Sequence, residues 1–279
     1  MIAPVLQTAR EIGYAATLGY AVASFAYVRH FIRHGKGIGL FPTFALCVAL
    51  AAHTAWLVVE RVGLGHLPIA RPHEALSFVA WGIALAYVLI ELGLGQKVFG
   101  AFVVPVVFLV QGVAAGFQMA SPWPQPLPAI LQSIWFELHV GTALFSYCAF
   151  AIAFAAGVMH LLLFHELRLK HLGFFFARMP SLGVLERINY DAVALGFLFL
   201  TIGIGSGVVW SVHARAGSAL LSPKEISAFI VWLLYAANVH MRTRMGWRGQ
   251  RVAVFSVVNF ILLFVVFCLT SFVLGSHQF

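Results

Sequence analysis

Eight long apolar runs occupy most of the chain, at about 9–28, 39–59, 75–93, 98–119, 136–164, 191–212, 225–241 and 252–274. A helix needs about 20 apolar residues to cross a hydrocarbon core about 30 Å thick, since each residue rises about 1.5 Å and lipid offers the backbone no hydrogen-bond partners. The runs therefore predict an all-α, polytopic membrane protein of eight transmembrane helices. They are too long and too uniformly apolar for the alternating strands of a membrane β-barrel. Composition agrees: 62% of residues are hydrophobic and 9% charged, where a soluble domain carries about a quarter charged.

Lysine and arginine sort by side. Three fall in 29–39, one in 93–97, four in 165–190 and four in 240–251, so twelve of the 17 lie on the odd-numbered connections. By the positive-inside rule those connections face the cytoplasm and both termini face outward. The net charge of +8 is then a topology signal and a means of holding anionic membrane lipid, and it gives no reason to expect nucleic acid. Arg10 and Glu11 precede the first run without a small-residue cleavage site, so that helix is expected to stay in the protein. Cys47, Cys148 and Cys268 lie inside apolar runs with no Cys-x-x-Cys pair. They read as small apolar fillers, and their spacing excludes a thiol-disulfide carrier and a covalently haem-bearing cytochrome.

The longest polar connection, 165–190, is too short for a soluble domain, so residues 1–279 read as a single membrane domain. Within it Leu182, Leu185 and Ile188 recur at helical spacing opposite Glu186 and Arg187, predicting a short amphipathic helix at the inner surface. The outer stretch from Ser121 to Pro128 has four prolines and Trp123, predicting an extended loop with the indole at headgroup depth. Gly203 and Gly207 share a face at the spacing that lets helices approach closely. That face reads as tight packing, with a gap for a cofactor as the alternative.

Twelve histidines divide by depth. His30, His34, His165 and His171 belong to the basic side, and His66, His73 and His213 to the outer loops. His53, His139, His160, His240 and His277 lie in helices or at their ends. His139 enters the fifth run from outside and His277 leaves the eighth on the same side, so two imidazoles of matched depth are available to bracket a haem iron. A histidine satisfied by a backbone carbonyl is the plainer alternative. His240 lies at the opposite end, where His160 matches its depth better than His53 does. Among acids, Glu74 opens the third run, and Ser222-Pro223-Lys224-Glu225 has the spacing of a capping box with proline in the first turn.

The ordered stretches Phe136-Glu-Leu-His-Val140, Pro180 to Tyr190, Ala194 to Gly203, Gly207-Val-Val-Trp210, Pro223-Lys-Glu225, Trp232-Leu-Leu-Tyr235, His240-Met-Arg242 and Gly246 to Arg251, with Pro72 to Trp81 upstream, resemble the CcsA/CcmC-type cytochrome c assembly proteins. The nearest likeness is to the eight-helix, HemX-like branch, and it is strongest over 135–279. The resemblance implies a multi-pass protein of the inner (cytoplasmic) membrane, not an enzyme, that binds b-type haem non-covalently and moves it outward to apocytochrome c, working with an assembly partner subunit. It implies His139 and His277 as ligands of the outward haem, His240 as a ligand of an internal one, and Trp210 as part of the haem-contacting outer segment. In this chain Leu221 and Ser222 stand where that segment carries Trp and Asp. His213 and Arg215, also in the loop, are candidates for meeting haem propionates or are simply solvated. The HemX-like likeness implies an alternative role, control of an early tetrapyrrole-synthesis enzyme through the inner loops.

Overall fold

The computed structural model describes residues 2–33, 39–120, 127–170, 173–214 and 223–268. The expected proline-rich loop (121–126), the Leu221–Ser222 departure, Arg215 and His277 lie outside these, as does the side chain of His213. All regular structure among the described residues is helical: α1 (Ile2–Ile32), α2 (Phe41–Leu64), α3 (Pro72–Leu94), α4 (Gly100–Ala120), α5 (Ile134–Arg168), α6 (Leu182–Ala214), α7 (Pro223–Thr243) and α8 (Gln250–Cys268), with 3-10 turns at Lys97–Phe99 and Ala129–Leu131. Six of them, α2 to α6 and α8, are long and apolar enough to cross a membrane, and the chain is a multi-pass membrane protein. α1 and α7 are the two least apolar of the eight.

Local chemistry sets the helix starts. α2, α3 and α7 begin with proline in the first turn, where the missing N–H costs nothing. Glu74 closes the α3 start, as its position in the sequence predicts, by accepting from the Ala70 and Arg71 N–H groups at 3.0 and 3.1 Å. Ser133 caps α5 by accepting from the Phe136 N–H at 3.2 Å. The amphipathic segment 182–188 is not a separate helix. It forms the first two turns of α6, where Leu185 and Ile188 are buried in the core, because nothing between it and the apolar run breaks the helix. Cys148 is buried as expected, whereas Cys47 faces outward.

The helices form two groups. In one, α1 packs on α2 and α4, and α3 on α4; in the other, α5 packs along α6 and α8, with α7 between α6 and α8. α3 joins the groups through α5. There Gly82 approaches Cys148 so closely that a Cβ would lie 2.5 Å from Sγ. Along α6, added Cβ atoms at Gly196, Gly203 and Gly207 would meet Phe150 at 2.4 Å, Thr142 at 3.2 Å and His139 at 2.6 Å, respectively. The glycine face is thus where α5 lies in close contact with α6.

Candidate functional site

His139 sits one turn into α5 and points at the last turns of α6. Its Nδ1 lies 2.7 Å from the Gly203 carbonyl oxygen. A carbonyl only accepts, so Nδ1 carries the proton, and a neutral ring then keeps its lone pair on Nε2. A backbone carbonyl fixing one nitrogen while the other stays available is the usual arrangement of a metal-ligating histidine. Gly207 provides the space beside the ring, since any side chain there would meet the imidazole. The glycine face is thus a close-packing surface, and at Gly207 it is the His139 ring that packs on it.

Trp210, one turn further along α6, is nearly parallel to the His139 ring, at 11° with centroids 6.2 Å apart. Its Nε1–H donates to the Ile130 oxygen at 3.1 Å, and Phe136 flanks it at 5.5 Å. In this position Trp210 lies alongside the imidazole and steadies its plane. Glu137, beside His139, fastens the start of α5 to the end of α2 and the loop after it: it accepts from the Leu67 N–H at 2.9 Å and lies 3.5 Å from Arg61.

His240 is at the other end of the bundle, exposed in the last turn of α7. Arg242, two residues on, bonds Glu186 near the start of α6, and the 17 steps from Glu186 to Gly203 span about 26 Å of helix. One porphyrin cannot reach both His139 and His240. His160 shares the His240 end of the bundle, buried near Glu186 with its Nδ1 unpartnered. His53 is not available as a ligand. Ser77 donates to Gln111 Oε1 at 2.8 Å, so its oxygen accepts from His53 Nε2 at 2.9 Å, and His53 Nδ1 accepts from the Tyr20 hydroxyl at 3.1 Å. Among the described residues no group of three or more His, Cys, Asp or Glu side chains is assembled to hold a metal ion.

Residues 70–277 match the family described as cytochrome C assembly protein. The chain belongs to that family. Its similarity to individual members is moderate and long: 30% identity over 275 residues, covering 96% of the chain and 74% of a cytochrome c biogenesis protein CcsA of Chlamydomonas reinhardtii. A protein of the same name from Guillardia theta is 27% identical over 87% of the chain and 85% of its own length. A third, from Prochlorococcus marinus, is 30% identical over 84% and 83%. The match therefore begins well upstream of residue 135 and takes in α3 and α4.

Two buried polar groups escaped the sequence reading. Glu91, near the end of α3, is 4% exposed and accepts from Tyr27 at 2.5 Å, Thr43 at 2.5 Å and Tyr87 at 2.7 Å. In the other group, Asn238 of α7 donates to Ser256 of α8 at 3.1 Å, Ser256 to Asn189 of α6 at 3.0 Å, and Asn189 to the Ala153 oxygen of α5 at 2.7 Å. The available signal was one polar side chain in each of several apolar runs; which of them meet is decided by how the helices rotate against each other.

Proposed function

We propose that this chain is a haem-handling protein of cytochrome c assembly, a non-enzymatic factor that receives haem and passes it outward across the bacterial inner membrane or its equivalent. The observation that carries the proposal is the His139 ring, held through Nδ1 by the Gly203 carbonyl with no hydrogen bond at Nε2, in a member of a family named for cytochrome c assembly. Related proteins named for cytochrome c biogenesis support the same reading. In it all eight helices span, both termini face outward, and haem is b-type and non-covalent.

His139 and His277 would hold the haem of an outward site. Gly203 holds the His139 proton, Trp210 fixes the ring plane, and Glu137 anchors the helix that carries them. His240 belongs to a second site about 26 Å away along α6. A bound haem would supply an iron that draws two imidazoles together from separate helices. Apocytochrome c is the recipient on the outer side, and an assembly partner subunit works with the chain there.

The test is an absorption spectrum of detergent-purified protein. His139→Ala and His277→Ala should each lower bound haem or shift its spectrum, and added imidazole should restore part of it by filling the empty position. An unchanged haem content and spectrum in the double variant would overturn the assignment.

A further inference from the structure

The turn between α7 and α8 is built around Glu186. The chain reverses through Gly246 and Gly249, whose φ angles of 66° and 63° favour glycine. One Glu186 oxygen takes Arg242, and the other accepts from the Gly249 N–H at 3.1 Å. Arg242 also donates to the Trp247 oxygen at 3.3 Å, and the Trp247 N–H to the Met241 oxygen at 3.1 Å. Trp247 is thereby held beside the start of α8, with the Arg251 guanidinium 5.9 Å from its ring centroid. Between them opens a groove of about 360 Å³ lined by Trp247, Gln250, Arg251, Val254 and Phe255.

We propose that this groove holds an anionic phospholipid of the adjacent leaflet, its phosphate at Arg248 and Arg251 and an acyl chain along the outer face of α8. Three observations point to that occupant. Charge is the first: Glu186 is taken up by Arg242, while Arg244, Arg248 and Arg251 are exposed and no carboxylate among the described residues pairs with them. Guanidinium groups beside an interfacial tryptophan suit a phosphodiester.

Shape is the second. Below the cations Val254, Val258, Ile261 and Val265 are exposed at intervals of four, three and four residues, which puts them on one helix face. Depth is the third. The eleven steps from Val254 to Val265 rise about 16 Å, close to half of a core about 30 Å thick, which is the reach of one leaflet. A free phosphate would use only the top of such a site. A zwitterionic lipid carries the same phosphodiester, but its ammonium offsets the charge, so it gains less from these cations than an anionic lipid does.

The experiment is native mass spectrometry of the full chain, reconstituted in nanodiscs of mixed phosphatidylglycerol and phosphatidylcholine and then released into detergent. Wild type should retain one phosphatidylglycerol in preference to phosphatidylcholine, and millimolar inorganic phosphate should not displace it. Arg248→Gln/Arg251→Gln should lower retention by about thirtyfold, the factor for two cations lost from an anionic surface. Val258→Asn/Ile261→Asn should lower it through the acyl track while leaving the cations in place. Should the glutamine pair fail to fold, Arg248→Lys/Arg251→Lys keeps the charge without the planar fork, and retention between wild type and background is expected. Equal retention of the two lipids, wild-type retention in a folded glutamine pair, or displacement by inorganic phosphate would overturn the proposal.

Discussion

In α1–α4 the buried histidine, His53, has both ring nitrogens engaged, Nδ1 by the Tyr20 hydroxyl and Nε2 by Ser77. In α5–α8 His139 commits one nitrogen to a carbonyl, and His160 leaves Nδ1 with no partner at all. All three are imidazoles in long apolar helices, so residue type does not separate them. Hydrogen-bond bookkeeping does. A ring used as a bridge between hydroxyls has no lone pair to offer, and a ring fixed at one nitrogen does. Both groups are tied by closed polar clusters; the difference lies in single rings, since His53 is fully committed whereas His139 and His160, like His30 of α1, each keep a nitrogen in reserve.

The comparison breaks most visibly at Glu91. Replacing it with Leu removes the acceptor of three hydroxyls from three helices at once. Counting each at the low end for a buried group left unpaired, and in line with interhelical hydrogen bonds in membranes, the loss is about 3 kcal/mol. Thermal unfolding in detergent should show it as a lowered Tm, with Glu91→Gln intermediate because one acceptor oxygen survives. Below its unfolding temperature Glu91→Leu should keep the haem spectrum of wild type. A changed spectrum in the folded variant would mean that the two groups are not separate in function.

Gly207→Ala tests the other side. Its Cβ would stand 2.6 Å from His139 Nδ1, so either the imidazole turns away from Gly203 or α5 and α6 part. Overpacking of this kind costs about 1–3 kcal/mol. Gly82→Ala creates a similar clash with Cys148 at 2.5 Å and serves as the control. Both should lower the Tm, but only Gly207→Ala should also alter haem binding. An altered spectrum in Gly82→Ala would show that the site depends on the α3–α5 junction as well.

The two variants also mark what was legible in the sequence. Each of the eight apolar runs falls on one of the eight helices described, and six of these are long and apolar enough to cross a membrane. Their ends were misplaced where polar residues continue a helix past the lipid: α1 reaches Ile2, and α6 starts at Leu182 with Glu186 and Arg187 in its first turns. Hydropathy senses the hydrocarbon boundary, and helix hydrogen bonds do not stop there. His139, Trp210 and the glycine face were each readable, and α5 and α6 bring them together. That Gly203 supplies the carbonyl and Gly207 the space was not, since both depend on the rotation of α6 about its axis. Glu91 was overlooked for the same reason: three hydroxyls on three helices converge only once α1, α2 and α3 are packed.

The smallest expected effect is at His160. Phe keeps the planar shape of His and is larger by roughly a methylene or more, while the substitution deletes a buried Nδ1 that has no partner. Removing an unsatisfied polar atom offsets the slight overpacking, so the net change should stay within about 1 kcal/mol of wild type. The ring is already nearly parallel to Phe164, at 12° with centroids 6.4 Å apart, so an aromatic replacement meets an aromatic neighbour. The corresponding change in the other group, His53→Phe, strands the Tyr20 hydroxyl and breaks its link to Ser77, and should cost about 1–2 kcal/mol. If unfolding in detergent gives the reverse order, or if His160→Phe loses haem that His240→Ala also loses, then His160 has a partner at the basic end of the bundle. It would be a ligand of the inner site alongside His240, and the reserve of coordinating capacity in α5–α8 would extend along the whole length of α5.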